Sequence, residues 1–450
     1  MSSYVQVHNS GFVRDGSPVA IRGINLGCWQ NIEAFMFGLQ GIDSRIREHA
    51  CRVLGKVGAQ DFFDAYTRCF ITGDDITFIK SIGMNCIRFP FNYRTFEDPR
   101  NPFSFPEERF AVMDQVVRWG REHELYVVLD FHAAPGGQNT TPPADNPLTG
   151  ALLWTDRCYQ DRCAALWKAI ARRYRDEEWV LGYDLLNEPI TENTDALNAV
   201  YHRLLQEIRS VDPHHVIIVE SRVKSAGGAE GLDPGLFDDA NTATSFHHYP
   251  CFRAQSYPGV ADASDYRSRL FWDRTKLEES MAEDIAFARS VKRPMILGEF
   301  GFNRLGVLSV QQAVVNDLLA TVTAAGGHWI MWSYKDIHKM GLLNPRPDTP
   351  WVRFCEREDI AAVIAATEAS RKRHFDEVYI HQMGKNDGNR PVYDAAWNDE
   401  QQALWQLQLD FQLRELAQYS PQERLAMMDS WLFSNCAVND WMLEVLRLYR

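Results

Sequence analysis

The sequence predicts an α/β protein built on a closed, eight-stranded (β/α)8 TIM barrel, and three observations lead there. Eight short apolar runs recur along the chain, and helical spacing fills the stretches between them. The gaps between the polar ends of the runs, 27 to 63 residues, each hold the crossover of a dozen or more residues that parallel strands require. The runs do not alternate cleanly between apolar and polar residues, which is the pattern of strands buried on both faces. A doubly wound open sheet is the runner-up. Its dinucleotide-binding form carries G-x-G-x-x-G after the first strand, whereas here that strand runs into Gly27-Cys28-Trp29.

The elements follow in order. AIRGINL (20–26) opens the barrel and MNCIRFPF (84–91) continues it. Phe110, Met113 and Val117 share one helical face ahead of LYVVLDFH (125–132), and Trp167, Ile170, Ala171 and Tyr174 do so ahead of VLGYDLLN (180–187). VIIVES (216–221), ATSFHHY (243–249), PMILGEF (294–300) and HWIMWSY (328–334) complete the eight, and 352–380 can supply the closing helix. Residues 1–380 thus form the barrel. The segment 381–396, rich in Gly, Asn, Asp and Pro, reads as a connector. Trp405, Leu409, Leu413 and Leu416 then repeat at helical spacing, so 381–450 is expected as a helical extension packed on the barrel. Three βα segments are long, Gly27–Gly83, Ala133–Pro147 and Pro250–Trp272. They are expected to wall the mouth into a pocket, with Trp29, Trp154 and Trp272 as candidates for its lining.

Composition narrows the partner. A net charge of −13 works against nucleic acid or an anionic membrane, and no run approaches the roughly 20 apolar residues of a membrane helix. Nine scattered cysteines with no C-x-x-C, behind an N-terminus with neither a basic start nor an apolar stretch, point to a reducing, cytoplasmic address. No cofactor is implied, and a homo-oligomer is compatible with these features.

In a parallel barrel all strand C-termini open on one face, so residues far apart in sequence converge there. Those ends are strongly polar: Arg88, His132, Asn187-Glu188, Glu220, His247-His248-Tyr249, Glu299 and Trp332. Burying so many polar groups is expensive unless they form a site. Glu188 and Glu299, ending the fourth and seventh runs, can flank a glycosidic bond: one protonates the leaving oxygen while the other attacks or stabilises the sugar cation. Strand parity groups Glu299 with Met295 and Leu297, and all three are expected to point inward. Asn187 and Glu188 are adjacent and cannot both face the cavity from a regular strand, so one must lie beyond the strand end, where Pro189 bends the chain. His247 shares parity with Tyr249 and is expected to face the cavity, leaving His248 packed behind. Asp130 reads as a structural partner one step below His132, and Glu220 as structural or part of a subsite.

Leu186-Asn187-Glu188-Pro189 and Gly298-Glu299-Phe300-Gly301 resemble glycoside hydrolase family 5, the retaining cellulase-type barrels. Ile87-Arg88-Phe89-Pro90, Asp130-Phe131-His132, His247-x-Tyr249 and Trp332 fall on the other strands in the matching order, and the likeness covers about residues 20–335. The resemblance implies Glu188 as general acid/base and Glu299 as nucleophile. It implies Asn187 on the sugar 2-hydroxyl, Arg88 and Tyr249 on the nucleophile, His132 and His247 as sugar-hydroxyl and acid/base neighbours, and Trp332 as the floor under the cleaved sugar. His132 to Asn139 is similar to the H-G-A-P-G-x-Q-N run of the exo-β-1,3-glucanase branch, with Ala133 in place of its glycine. The activity expected is a retaining, exo-acting β-glycosidase on short oligosaccharides, β-mannosidase first, with β-glucosidase or exo-β-glucanase as the alternative. Two readings from other classes are a metal-assisted barrel enzyme with Asp130, Glu188 and Glu220 as ligands, and a non-catalytic carbohydrate-binding barrel.

Overall fold

The computed structural model describes residues 3–148, 150–223, 228–249, 274–301, 308–337, 340–374 and 390–449. The segment from Pro250 through Trp272, including the expected pocket residue Trp272, lies outside them. Eight parallel strands close on themselves in chain order. They are β1 (Arg22–Asn25), β2 (Cys86–Asn92), β3 (Tyr126–Ala133), β4 (Val180–Asp184), β5 (Val216–Glu220), β6 (Thr242–His247), β7 (Met295–Glu299) and β8 (His328–Met331). Helices Gly73–Ser81, Ala111–His123, Arg157–Tyr174, Thr194–Arg209, Arg274–Val291 and Leu308–Ala324 fill six of the seven crossovers. The crossover from β5 to β6 shows only a 3-10 turn, Pro234–Phe237, among the described residues. It is also the shortest gap in the sequence.

Two apolar clusters divide the barrel. Val5, Phe12, Ile21, Cys86, Val128, Ile218, Ala243, Ile296 and Ile330 form the interior cluster. The antiparallel sheet of Gln6–His8, Gly11–Arg14 and Ser17–Val19 closes it from below. Met295 and Leu297 belong instead to the outer cluster, with Val314, Leu318 and Val322 of the surrounding helix. This corrects the parity reading of β7: Ile296, not Met295 or Leu297, lines the interior. Glu299 reaches the mouth because the pairing with β6 shifts register between Leu297 and Glu299, an extra residue that re-aims the strand end.

The first long loop carries helix Asp43–Phe70, which bends at Gly55, whose φ is 75°. Beyond β8, helices Arg390–Leu416 and Pro421–Met428 pack back against that helix, and Asp440–Arg447 packs against the barrel helix Leu308–Ala324. The first of these begins inside the expected connector, with Pro391 in its first turn, where a missing N–H costs no hydrogen bond. Trp431 packs against Phe37, Tyr66 and Phe70, and Leu409, Leu413 and Leu416 are fully buried. The extension is not wholly helical: Cys436–Val438 pairs antiparallel with Leu343–Pro345. Buried Lys335, three residues after Trp332, joins the two parts. Its Nζ donates to the carbonyls of Phe70 and Trp431 and lies 2.6 Å from Asp75 Oδ1.

Candidate active site

The strand ends meet around one guanidinium. Arg88 projects from β2 and is fully buried. Its Nε donates to Asp184 Oδ2 at 2.9 Å, Nη1 to Asn25 Oδ1 and to Glu299 Oε1 at 2.8 Å, and Nη2 to Asn187 Oδ1 and to Glu220 Oε1 at 2.9 Å. Asp130 Oδ1 lies 3.1 Å from Nη2. A planar donor fork suits this geometry better than a lysine point charge would.

Glu299 accepts from Arg88 on one oxygen and from the Tyr249 hydroxyl on the other, at 2.6 Å. Burial raises its pKa from the ordinary carboxylate value, with His247 and Arg88 pulling in the opposite direction. Glu188 lies across from it. One oxygen of each carboxylate, together with a ring nitrogen of His247, all fall within 4.8 Å of one another.

The Asn187-Glu188 pair leaves the regular strand after Asp184. The Asn187 amide still donates to the Phe131 carbonyl, while Glu188 adopts a left-handed backbone with φ 47°. That turn lets adjacent side chains converge, because consecutive residues are no longer on opposite faces of a pleat. Gln138 Nε2 donates to the Asn187 carbonyl, and Asn139 Nδ2 to that of Glu188. The loop after β3 therefore holds the turn from above. Trp154 braces this loop, its Nε1 donating to the Gln138 and Ile190 carbonyls.

His247 Nδ1 sits 3.0 Å from Glu188 Oε1 and 3.4 Å from Glu299 Oε2, and Nε2 lies 3.1 Å from Glu220 Oε1. Burial disfavours its charged form, but Glu220 and Glu299 outweigh burial and raise the pKa well above the ordinary histidine value. His248 turns away, its Nε2 2.9 Å from Ser280 Oγ on helix Arg274–Val291. His132 Nδ1 contacts Asp130 Oδ2 at 2.7 Å, and its ring stacks on Trp332 at 5.2 Å and 6°. Burial works against the His132 imidazolium, but Asp130 and Glu33 outweigh it and hold the pKa at about 10. Trp332 closes against Gly27, where a Cβ would come within 2.7 Å of its ring.

Two residues depart from the sequence reading. Trp29 is core: it packs against Phe89 and Trp119, and its Nε1 donates to the Thr67 carbonyl. Glu33, not singled out from sequence, is 3% exposed at the site. Its Oε1 and His132 Nε2, 3.8 Å apart, have no hydrogen-bond partner among the described residues, nor does Asn187 Nδ2. Burial raises the Glu33 pKa, offset by His132. Its only sequence signal is an acidic residue in the first βα loop, where no strand end marks it.

The metal-site reading fares poorly on geometry. Asp130, Asp184 and Glu220 do cluster, but the Arg88 guanidinium already lies within 3.1 Å of all three. Glu188 is grouped with His247 and Glu299 instead.

The family model for Cellulase (glycosyl hydrolase family 5) matches residues 51–337. A β-xylosidase from Phanerodontia chrysosporium is 33% identical over 99% of this chain and 98% of its own length. A probable glucan 1,3-β-glucosidase A from Aspergillus niger is 26% identical over 52% of this chain and 56% of its own. The crystal structure of endoglucanase Cel5A from Thermotoga maritima shares the fold, with a TM-score of 0.50 and 22% identity over 72% of this chain and 91% of that one.

Proposed function

Because the chain belongs to glycoside hydrolase family 5, we propose that it is a retaining, exo-acting β-glycosidase that releases a terminal sugar, xylose first, from short β-glycosides. The observation that carries the retaining mechanism is that one oxygen of Glu188 and one of Glu299 lie within 4.8 Å of each other across the mouth. Retaining enzymes hold this pair about 5–5.5 Å apart, and inverting ones leave room for a water between them. In this reading Glu299 attacks the anomeric carbon and the bond to the leaving oxygen breaks as Glu188 protonates that oxygen. Glu188 then takes a proton from the water that frees the sugar. Asn187 Nδ2, Glu33 Oε1 and His132 Nε2 are buried polar atoms awaiting partners, which sugar hydroxyls supply. Trp332, backed by His132, gives the sugar a flat wall.

Exo action is supported by the way the loops lock together. Asn31 Nδ2 donates to the Pro143 carbonyl, Asn92 Nδ2 bridges Asn31 and Asp145, and Asp145 accepts from Ser44 and Arg94. The first three βα loops thus form one braced wall beside Glu33. The extension joins that wall, since Gln412 exchanges hydrogen bonds with Gly38 and Gln40. Xylose takes precedence over the mannose expected from sequence because the relative matched end to end, extension included, is named a β-xylosidase. A cytoplasmic address belongs to the proposal too, supported by eight described cysteines that are all free. A panel of aryl β-glycosides (xylo, gluco, manno, galacto, fuco), with product analysis on short oligosaccharides, tests the whole reading. Fastest cleavage of the xyloside, one terminal sugar at a time and with its anomeric configuration kept, is expected. Inverted product, or internal cleavage, refutes it.

A further inference from the structure

We propose that Glu220 is a positioning residue for the acid/base: one buried carboxylate that holds both the backbone turn carrying Glu188 and the imidazole against which Glu188 rests. The proposal rests on the reading of Glu188 as acid/base. Glu220 ends β5 and is 1% exposed. Its Oε2 accepts the Glu188 backbone N–H at 2.8 Å. A glutamate with φ 47° is off the strand ladder, so its amide needs an acceptor supplied from elsewhere, and an unfavourable backbone persists only when its surroundings hold it. The other oxygen, Oε1, accepts from Arg88 Nη2 and lies 3.1 Å from His247 Nε2. One side chain therefore fixes where the acid/base stands and sets an anion at ion-pair distance behind the imidazole that faces its carboxylate.

The second tie acts on protons. The charged and titratable groups around His247 are Glu188 and Asp184 from the β4 end, Glu220 on β5, Arg88 on β2 and Glu299 on β7. Tyr249 follows just beyond the end of β6, and Glu33, Asp130 and His132 stand across the mouth. Among these, Glu220 touches the ring nitrogen that Glu188 and Glu299 do not. Burial opposes its ionisation, but His247 and Arg88 outweigh that and bring its pKa down to about 2, so it stays an anion. An anion at Nε2 favours the protonated form of His247, whose Nδ1 faces Glu188. During leaving-group departure the proton moves from Glu188 to the glycosidic oxygen, and it returns from water in the second step. His247 keeps its own protons throughout, so the charge beside Glu188 is the same in both half-reactions.

The test compares Glu220→Gln with the wild type on two substrates of one sugar, an activated aryl β-glycoside and a disaccharide with a poor leaving group. Removing an anion this close lowers nearby pKa values by about one to three units. The basic limb of kcat/KM for the disaccharide is therefore expected to move at least about one pH unit downward, with a tenfold or greater loss at its former plateau edge. The aryl glycoside, which needs little protonation, is expected to lose far less and to keep its basic limb. Equal losses on both substrates with unmoved limbs overturn the proposal. Glu220→Asp, which keeps the anion beside Arg88 but falls one methylene short of the Glu188 amide, serves if the glutamine variant does not fold. The same selective loss for the poor leaving group is expected, and equal loss overturns. A wild type that inverts the anomeric centre, or cleaves no β-glycoside, overturns the reading of the site itself, a result distinct from any behaviour of the variants.

Discussion

Tyr249→Phe isolates the electrostatics of the proposed nucleophile. The deleted hydroxyl donates to Glu299 Oε2 at 2.6 Å, while Arg88 continues to hold Oε1 at 2.8 Å. A hydrogen bond to a charged group contributes about 1.5–3 kcal/mol, and 1.36 kcal/mol corresponds to one pKa unit. The donor favours the anion, so its loss raises the Glu299 pKa by about one to two units. That adds to the upward push of burial already present. Attack requires the ionised form, so activity that falls as pH drops will fall sooner. The acidic limb of kcat/KM is expected about one to two pH units higher, with a smaller loss on the alkaline side. The assay is kcat/KM against pH with an activated aryl β-glycoside, so that protonation of the leaving group does not set the rate. An acidic limb that stays in place, or moves down, refutes the assignment of Tyr249 to the ionisation of Glu299.

Glu299→Gln is expected to abolish turnover while the thermal unfolding midpoint stays near that of the wild type; near-normal hydrolysis removes Glu299 from the mechanism. Glu188→Ala is expected to slow poor leaving groups by about 10²- to 10⁴-fold and activated aryl leaving groups far less; equal losses count against an acid role. Lys335→Met leaves Asp75 buried without its cation, a change that costs about 3–5 kcal/mol because both side chains are fully inaccessible. Urea unfolding followed by tryptophan fluorescence is expected to show a markedly lower midpoint, and an unchanged one contradicts the view that Lys335 fastens the end of β8 to helix Gly73–Ser81 and, through the Trp431 carbonyl, to the extension.

The barrel was legible because its signal is long-range and redundant: eight apolar runs with crossover-length gaps leave few topologies, and every strand overlaps the run that predicted it, none overstepping it by more than one residue. The convergence of Arg88, His132, Asn187, Glu188, His247, Tyr249 and Glu299 was legible for the same reason, since a parallel barrel sends every strand end to one mouth. Trp29 misled because a large aromatic in a long loop carries no sign of which side it faces; here it turns outward onto Phe89 and Trp119. Glu33 was missed because its environment is made entirely by other segments, His132 from β3 and the braced loops around it. The strand inside the extension was hidden as well, because Cys436–Val438 has a partner, Leu343–Pro345, about ninety residues upstream.

The parity error on β7 says most about how such a site is built. Period-two alternation holds along the lower strand, where Ile296 meets Ile218 and Ile330 in the interior. It fails at the rim, where the register shifts before Glu299, again between Phe91 and Asn92 on β2, and where Glu188 takes a left-handed backbone. A regular strand end can offer only alternate residues to a cavity, one side chain per two positions. Placing two carboxylates, an asparagine and a histidine around a single anomeric carbon demands more than that. The irregular backbone supplies the extra aim, and Gln138, Asn139 and Glu220 hold the Asn187-Glu188 turn from three directions. Local pattern reasoning therefore breaks down at the rim because the chemistry there needs geometry that repeating structure cannot provide.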